Sequence, residues 1–168
     1  MKATTDVLEV LESQHTEVDQ LLEQLESGRG DRAALFATLA DKLAAHSTVE
    51  EKIFYPAAMY EETSDMLHES VEEHLAVKRV LADMLELDPD SDSDEFDAKL
   101  SVLKEQVSHH AHEEEEGKLF PILRRLMTED ERAGVGNELL AMFETVIQQQ
   151  PRRNVPSETA EAAPLPAP

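Results

Sequence analysis

Six residues stand where their chemistry demands an explanation: His15, His46, Glu50, His74, His110 and Glu114. His15 lies four residues after Leu11, three before Val18 and seven before Leu22, which puts it on an apolar helix stripe. His46 follows Leu43 by three, and Glu50 follows His46 by four. His74 follows Val71 by three and precedes Leu81 by seven. His110 follows Val107 by three, and Glu114 follows His110 by four. Left unpaired on hydrophobic faces, such groups would cost roughly 2–7 kcal/mol each. A metal centre removes that cost, because it takes up imidazole lone pairs and neutralises carboxylates. Four His and two Glu exceed a tetrahedral zinc site and suit two ions bridged by carboxylates. Imidazole with carboxylate in a chain without cysteine points to iron ahead of manganese or zinc.

Positioning these residues takes four long helices. Residues 6–27 read as the first, with Asp6 as cap and Gly28 and Gly30 as its end. The second begins near Asp31, carries Phe36, Leu39 and Leu43 inward, and meets Pro56. The third starts near Ser64, and residues 88–94 are a loop by composition. The fourth opens at Asp94 or Glu95, with Phe96, Leu100, Leu103 and Val107 inward, and runs to about Met127. Thr128 and Glu131 form a capping box for a shorter fifth helix ending near Gln150. The expected fold is all-α: an antiparallel up-down four-helix bundle over 1–150 with that fifth helix on its flank. Residues 151–168, rich in Pro and Ala and without periodicity, read as a disordered tail that could dock a partner.

Composition agrees. Aromatic residues are 4% of the 168 and glycines number five, so the core must come from Leu, Val, Ala and Met, as in helical bundles. A formal charge of −22 repels phosphate backbones and anionic lipid, so neither nucleic acid nor membrane is expected as a partner. No apolar run approaches membrane-spanning length and the N-terminus carries no apolar leader, which makes the cytoplasm the expected location.

The motifs His15, His46-x-x-x-Glu50-Glu51…Pro56, Glu73-His74 and His109-His110…Glu114-Glu115…Phe120-Pro121 resemble the hemerythrin-like, cation-binding HHE domain over about residues 5–127. The resemblance implies a non-haem di-iron centre, oxo- or carboxylate-bridged, and chemistry with dioxygen, peroxide or nitric oxide. Carried over, it makes His15, His46, Glu50, His74, His110 and Glu114 the metal ligands. Two departures matter. Oxygen carriers of the family have a second His on the third helix, four residues from the first; here Ser70 and Lys78 flank His74 at that spacing. A missing ligand favours an enzyme or sensor over a carrier, and no residue separates turnover from mere binding or redox sensing. A ferritin-like site needs two Glu-x-x-His pairs, and only Glu12-x-x-His15 fits.

The second departure is one of register. His46 to Pro56 is ten residues but His110 to Pro121 is eleven, so the fourth helix holds an extra residue that a π-bulge could absorb. Counting forward from Phe96 puts Glu114 in phase; counting back from Leu126, Ile122 and Leu119 puts Glu115 there. The reading takes Glu114. His109, His112, Glu113 and Glu116 fall on other faces and are expected to be solvated; Glu51 is expected to hydrogen-bond a ligand histidine. Tyr55, Phe54 and Phe120 are expected to pack around the end of the site.

Overall fold

A computed structural model describes residues 5–168; the reading of Met1–Thr4 as lacking a leader lies outside the described residues. Every regular element among the described residues is helical. Helix α1 spans Val7–Glu26, and the Asp6 carboxylate accepts the Leu8 N–H at 2.9 Å to cap it. Gly28 and Gly30 follow with φ of 70° and 79°, a left-handed conformation only glycine adopts cheaply, and they turn the chain into α2. Helix α2 covers Arg32–Val49, runs through a π-helical stretch at Glu50–Phe54, and ends in α3, Tyr55–Ala57. Pro56 sits in the first turn of α3, where it forfeits no hydrogen bond that the wider π turn needs.

Helix α4 is Ser64–Leu85 and α5 is Ser93–Ser108. An eleven-residue π-helical stretch, His109–Leu119, continues α5 into α6, Phe120–Leu126. The expected capping box at Thr128 and Glu131 opens α7, Glu129–Ile147. A Cβ on Gly136 of α7 would lie 1.6 Å from the Thr5 carbonyl oxygen, so only glycine lets the chain's start cross there.

Apolar residues gather in two clusters, one toward each end of the helices. Leu11, Phe54, Tyr55, Leu67, Phe120 and Leu139 belong to one; Leu22, Leu39, Leu81, Phe96, Leu103 and Val155 belong to the other. Between them lies a buried polar layer containing His15, His46, Glu50, His74, His110 and Glu115. None of the described helices is long and apolar enough to cross a membrane.

The expectation for residues 151–168 needs correction. Gln150 turns the chain back with a φ of 52°, and Pro151–Glu158 forms a 3-10 helix packed on α2 and α4. Val155 and Pro151 are buried, and Arg152 pairs with Asp41 at 2.6 Å. The segment shows no apolar periodicity because it buries single residues rather than a stripe.

Candidate metal centre

The four histidines converge, each presenting Nε2 to the same small volume and anchoring Nδ1 behind it. Glu116 takes His15 Nδ1 at 2.6 Å, and the Gln14 side-chain carbonyl takes His46 Nδ1 at 2.7 Å. Glu51 takes His74 Nδ1 at 2.9 Å, and Glu73 takes His110 Nδ1 at 3.1 Å. Nδ1–H donating backward leaves the Nε2 lone pair forward, the tautomer a metal ligand requires. Glu51 is itself held by Lys78, whose ammonium lies 3.0 Å from it.

Two fully buried carboxylates divide the cluster into halves. One Glu50 oxygen, Oε1, lies 3.1 Å from His46 Nε2, while Oε2 lies 3.1 Å from His74 Nε2. Glu115 Oε1 is 2.6 Å from His110 Nε2, and its Oε2 is 3.6 Å from His15 Nε2. One half thus collects His15, His46 and Glu50 Oε1, with Glu115 Oε2 beside His15. The other collects His74, His110, Glu50 Oε2 and Glu115 Oε1. The donor atoms of Glu50, His74, His110 and Glu115 lie within 4.8 Å of one another, as do those of His15, His46 and Glu50.

The helix geometry explains why Glu115, and not Glu114, faces inward. An α-turn stacks residue i+4 above i, but a π-turn, closed by a bond from i+5 to i, stacks i+5 there. The Phe120 N–H bonds the Glu115 carbonyl across five residues, and His110 to Glu115 is also five. Glu114 is thereby turned outward to His109 and Lys118, the latter 2.6 Å away. The site residues expected from sequence are otherwise brought together: His15, His46, Glu50, His74 and His110 all contribute, and Glu115 occupies the place assigned to Glu114. His109 and Glu113 are exposed as expected. Glu116 is not merely solvated, since it holds His15 and also His112, at 3.0 Å.

Tyr55 is the residue sequence reasoning placed least well. A second π-turn, in which the Tyr55 N–H bonds the Glu50 carbonyl, brings its ring over the cluster. Its hydroxyl lies 2.8 Å from Glu115 Oε1, 3.1 Å from His74 Nε2, 3.2 Å from Glu50 Oε2 and 3.3 Å from His110 Nε2.

Charge in the cluster is finely balanced. Burial opposes ionisation of Glu50, but the His46 charge and the imidazoles of His110 and His74 that face it hold its carboxyl well below 4.5. Burial likewise opposes a charged His110, yet Glu115, Glu50 and Glu73 lift it well above 6.5. Burial and the negative charges of Glu115 and Glu50 push the Tyr55 hydroxyl well above 10. In metal-free protein the Glu50 contribution to stability is present above pH 4.5 and lost as pH falls through its lower folded value. The His110 contribution is present below 6.5 and lost as pH rises through its higher folded value. Metal-free protein should therefore melt highest between pH 4.5 and 6.5, and melting temperatures across pH in chelator check this.

The donor set fits a cation. His15 Nε2, Glu50 Oε1 and Glu115 Oε2 are buried without a hydrogen-bond partner, and all three point into one half of the cluster. Each such orphan costs about 1–3 kcal/mol unless something pairs with it. In the other half, His74 and His110 face each other Nε2 to Nε2 at 3.0 Å, which is favourable only with a proton or a cation between them.

Residues 6–123 match the family model of the hemerythrin HHE cation binding domain, and the chain belongs to that family. Cation binding is the property the family description carries, and the buried His and Glu cluster could hold a metal. Neither a curated protein nor a solved structure matches the chain significantly.

Proposed function

We propose that the chain holds two non-haem iron ions in the core of an antiparallel four-helix bundle and takes a small oxidant: dioxygen, nitric oxide or peroxide. The observation that carries this reading is the division of Glu50 and Glu115, each giving one oxygen to each histidine pair. Two carboxylates shared in this way suit two ions far better than one. Imidazole and carboxylate without thiolate suit iron. His15 and His46 would hold one ion and His74 and His110 the other, with Glu50 and Glu115 common to both.

Bound iron would supply an open position and exchangeable electrons for a small oxidant. The chain's own residues do the rest. Gln14, Glu51, Glu73 and Glu116 fix the imidazole planes, so the site is set before metal arrives. Tyr55 stands inside the donor set of the His74–His110 half and supplies the oxygen that compensates for the absent third-helix histidine.

Metal analysis after iron loading, with an optical spectrum, tests the reading; about two irons per chain and near-ultraviolet absorption are expected for such a bridged pair. A chain that stays fully helical yet takes up no iron would sink it. Tyr55→Phe should keep most of the iron but lose any visible phenolate-to-iron band. An unchanged spectrum would remove Tyr55 from the donor set.

A further inference from the structure

Beside the metal donors lies a cavity of about 40 Å³, and one of its walls comes from the end of the chain. His15, His46, His74 and His110 line one side, and Val18, Leu43, Ala44, Val77 and Leu81 supply apolar surface. Val155, from the 3-10 helix, completes the lining and is fully buried there. Lys78 is the cation in the wall, and Glu51 holds it.

We infer that residues 151–160 form a lid over this cavity, with Val155 as its plug, and that the lid admits only small uncharged molecules such as dioxygen or nitric oxide. The inference rests on the iron reading and narrows it. Three observations carry it. The lid lies across α2 and α4, the helices that bear His46 and His74, so it spans the gap between them. It is held at both ends: the Arg152 N–H and guanidinium bond the Asp41 carboxylate at 3.0 and 2.6 Å, and Arg79 Nε donates to the Thr159 carbonyl at 3.0 Å. Finally, the space is enough for a diatomic molecule and walled largely by hydrocarbon. A charged or hydrated ligand would have to shed its water against that hydrocarbon on the way in.

A link also runs from the lid to a ligand. Lys78 lies 3.9 Å from Glu158 of the lid and 3.0 Å from Glu51, which holds His74 Nδ1. Lid closure and the orientation of His74 thus share one ammonium.

The chain has no cysteine, so one introduced thiol reports on the cavity without metal or turnover. Ala44→Cys places it in the wall, and Ser101→Cys on exposed helix surface serves as the reference. With the lid intact, the Ala44→Cys thiol should react with methyl methanethiosulfonate far more slowly than the reference. Adding Val155→Ala should speed its labelling roughly tenfold to thirtyfold, up to the ratio expected when a buried aliphatic side chain loses two methyls. Arg152→Ala, which releases the latch and leaves the plug, should act in the same direction. Should either variant misfold, the other still decides. Equal labelling with and without these changes would overturn the lid.

In iron-loaded protein, nitric oxide binding followed by stopped flow should accelerate in the same variants at unchanged iron content. Faster labelling with unaltered nitric oxide binding would show that gas enters elsewhere and overturn the gate. Protected labelling in a chain that takes up no iron would instead uphold the lid and overturn the iron reading.

Discussion

Glu115→Ala is expected to strip the centre of most of its metal, whereas Glu114→Ala leaves it loaded. Glu115 is fully buried, gives one oxygen to His110 and aims the other, unpartnered, toward His15. Its removal costs each half of the site a donor and leaves four imidazoles around a single carboxylate. Loss of a residue that merely orients a ligand lowers affinity about 10–100-fold, so loss of a shared donor should exceed about 100-fold. Glu114 faces Lys118 and His109 at the surface, and such pairs contribute about 1 kcal/mol or less. Metal content by elemental analysis, on protein whose helicity is checked by circular dichroism, separates the two. Glu115→Gln, which keeps the volume and removes the charge, guards against a folding artefact. If Glu114→Ala empties the site and Glu115→Gln does not, the π-helical register of the fourth helix is wrong.

That pair of residues also marks where sequence reasoning stops. An apolar stripe at intervals of three, four and seven locates each histidine, because α1, α2, α4 and α5, which bear or lead up to them, keep the α period. His15, His46, His74 and His110 were legible for that reason. Beyond His109 the period changes, and a count carried forward from Phe96 drifts off the true face by one residue. The extra residue between His110 and Pro121 revealed that a bulge existed but not on which side of the carboxylate it fell. Tyr55 was expected near the end of the site, but not with its hydroxyl among the donors, because a π-turn at Glu50–Phe54 has no length mismatch to betray it. The partners of Nδ1 were harder still. Gln14, Glu73 and Glu116 each lie beside a site histidine in sequence or one turn beyond a neighbour, yet hold the histidine of another helix. Such pairing depends on how helices meet, and no single helix's periodicity records it.

Val155→Ala should lower stability by about 2 kcal/mol, and with it the melting temperature by about 4–8 °C in a chain of this size. Composition alone argues the opposite, since a Pro- and Ala-rich terminus without an amphipathic face has little to bury. The structure answers that one side chain in the right place is enough. Val155 is fully buried in the cluster that contains Leu22, Leu39 and Leu81, and truncation leaves a cavity that the Pro-flanked 3-10 backbone cannot collapse to fill. Fixing the segment costs backbone entropy of about 1–2 kcal/mol per residue, and the prolines at 151 and 156 reduce that cost by restricting the unfolded chain. The part-buried Arg152–Asp41 pair, held by two hydrogen bonds, latches the start of the segment onto α2. Ser157→Ala, on the exposed side of the same turn, is the control and should shift melting by little. Thermal unfolding of metal-free protein is the measurement, so that metal binding does not mask the difference. A Val155→Ala chain that melts with the parent would mean that residues 151–168 hang free in solution, as their composition suggests, and the lid would fall with them.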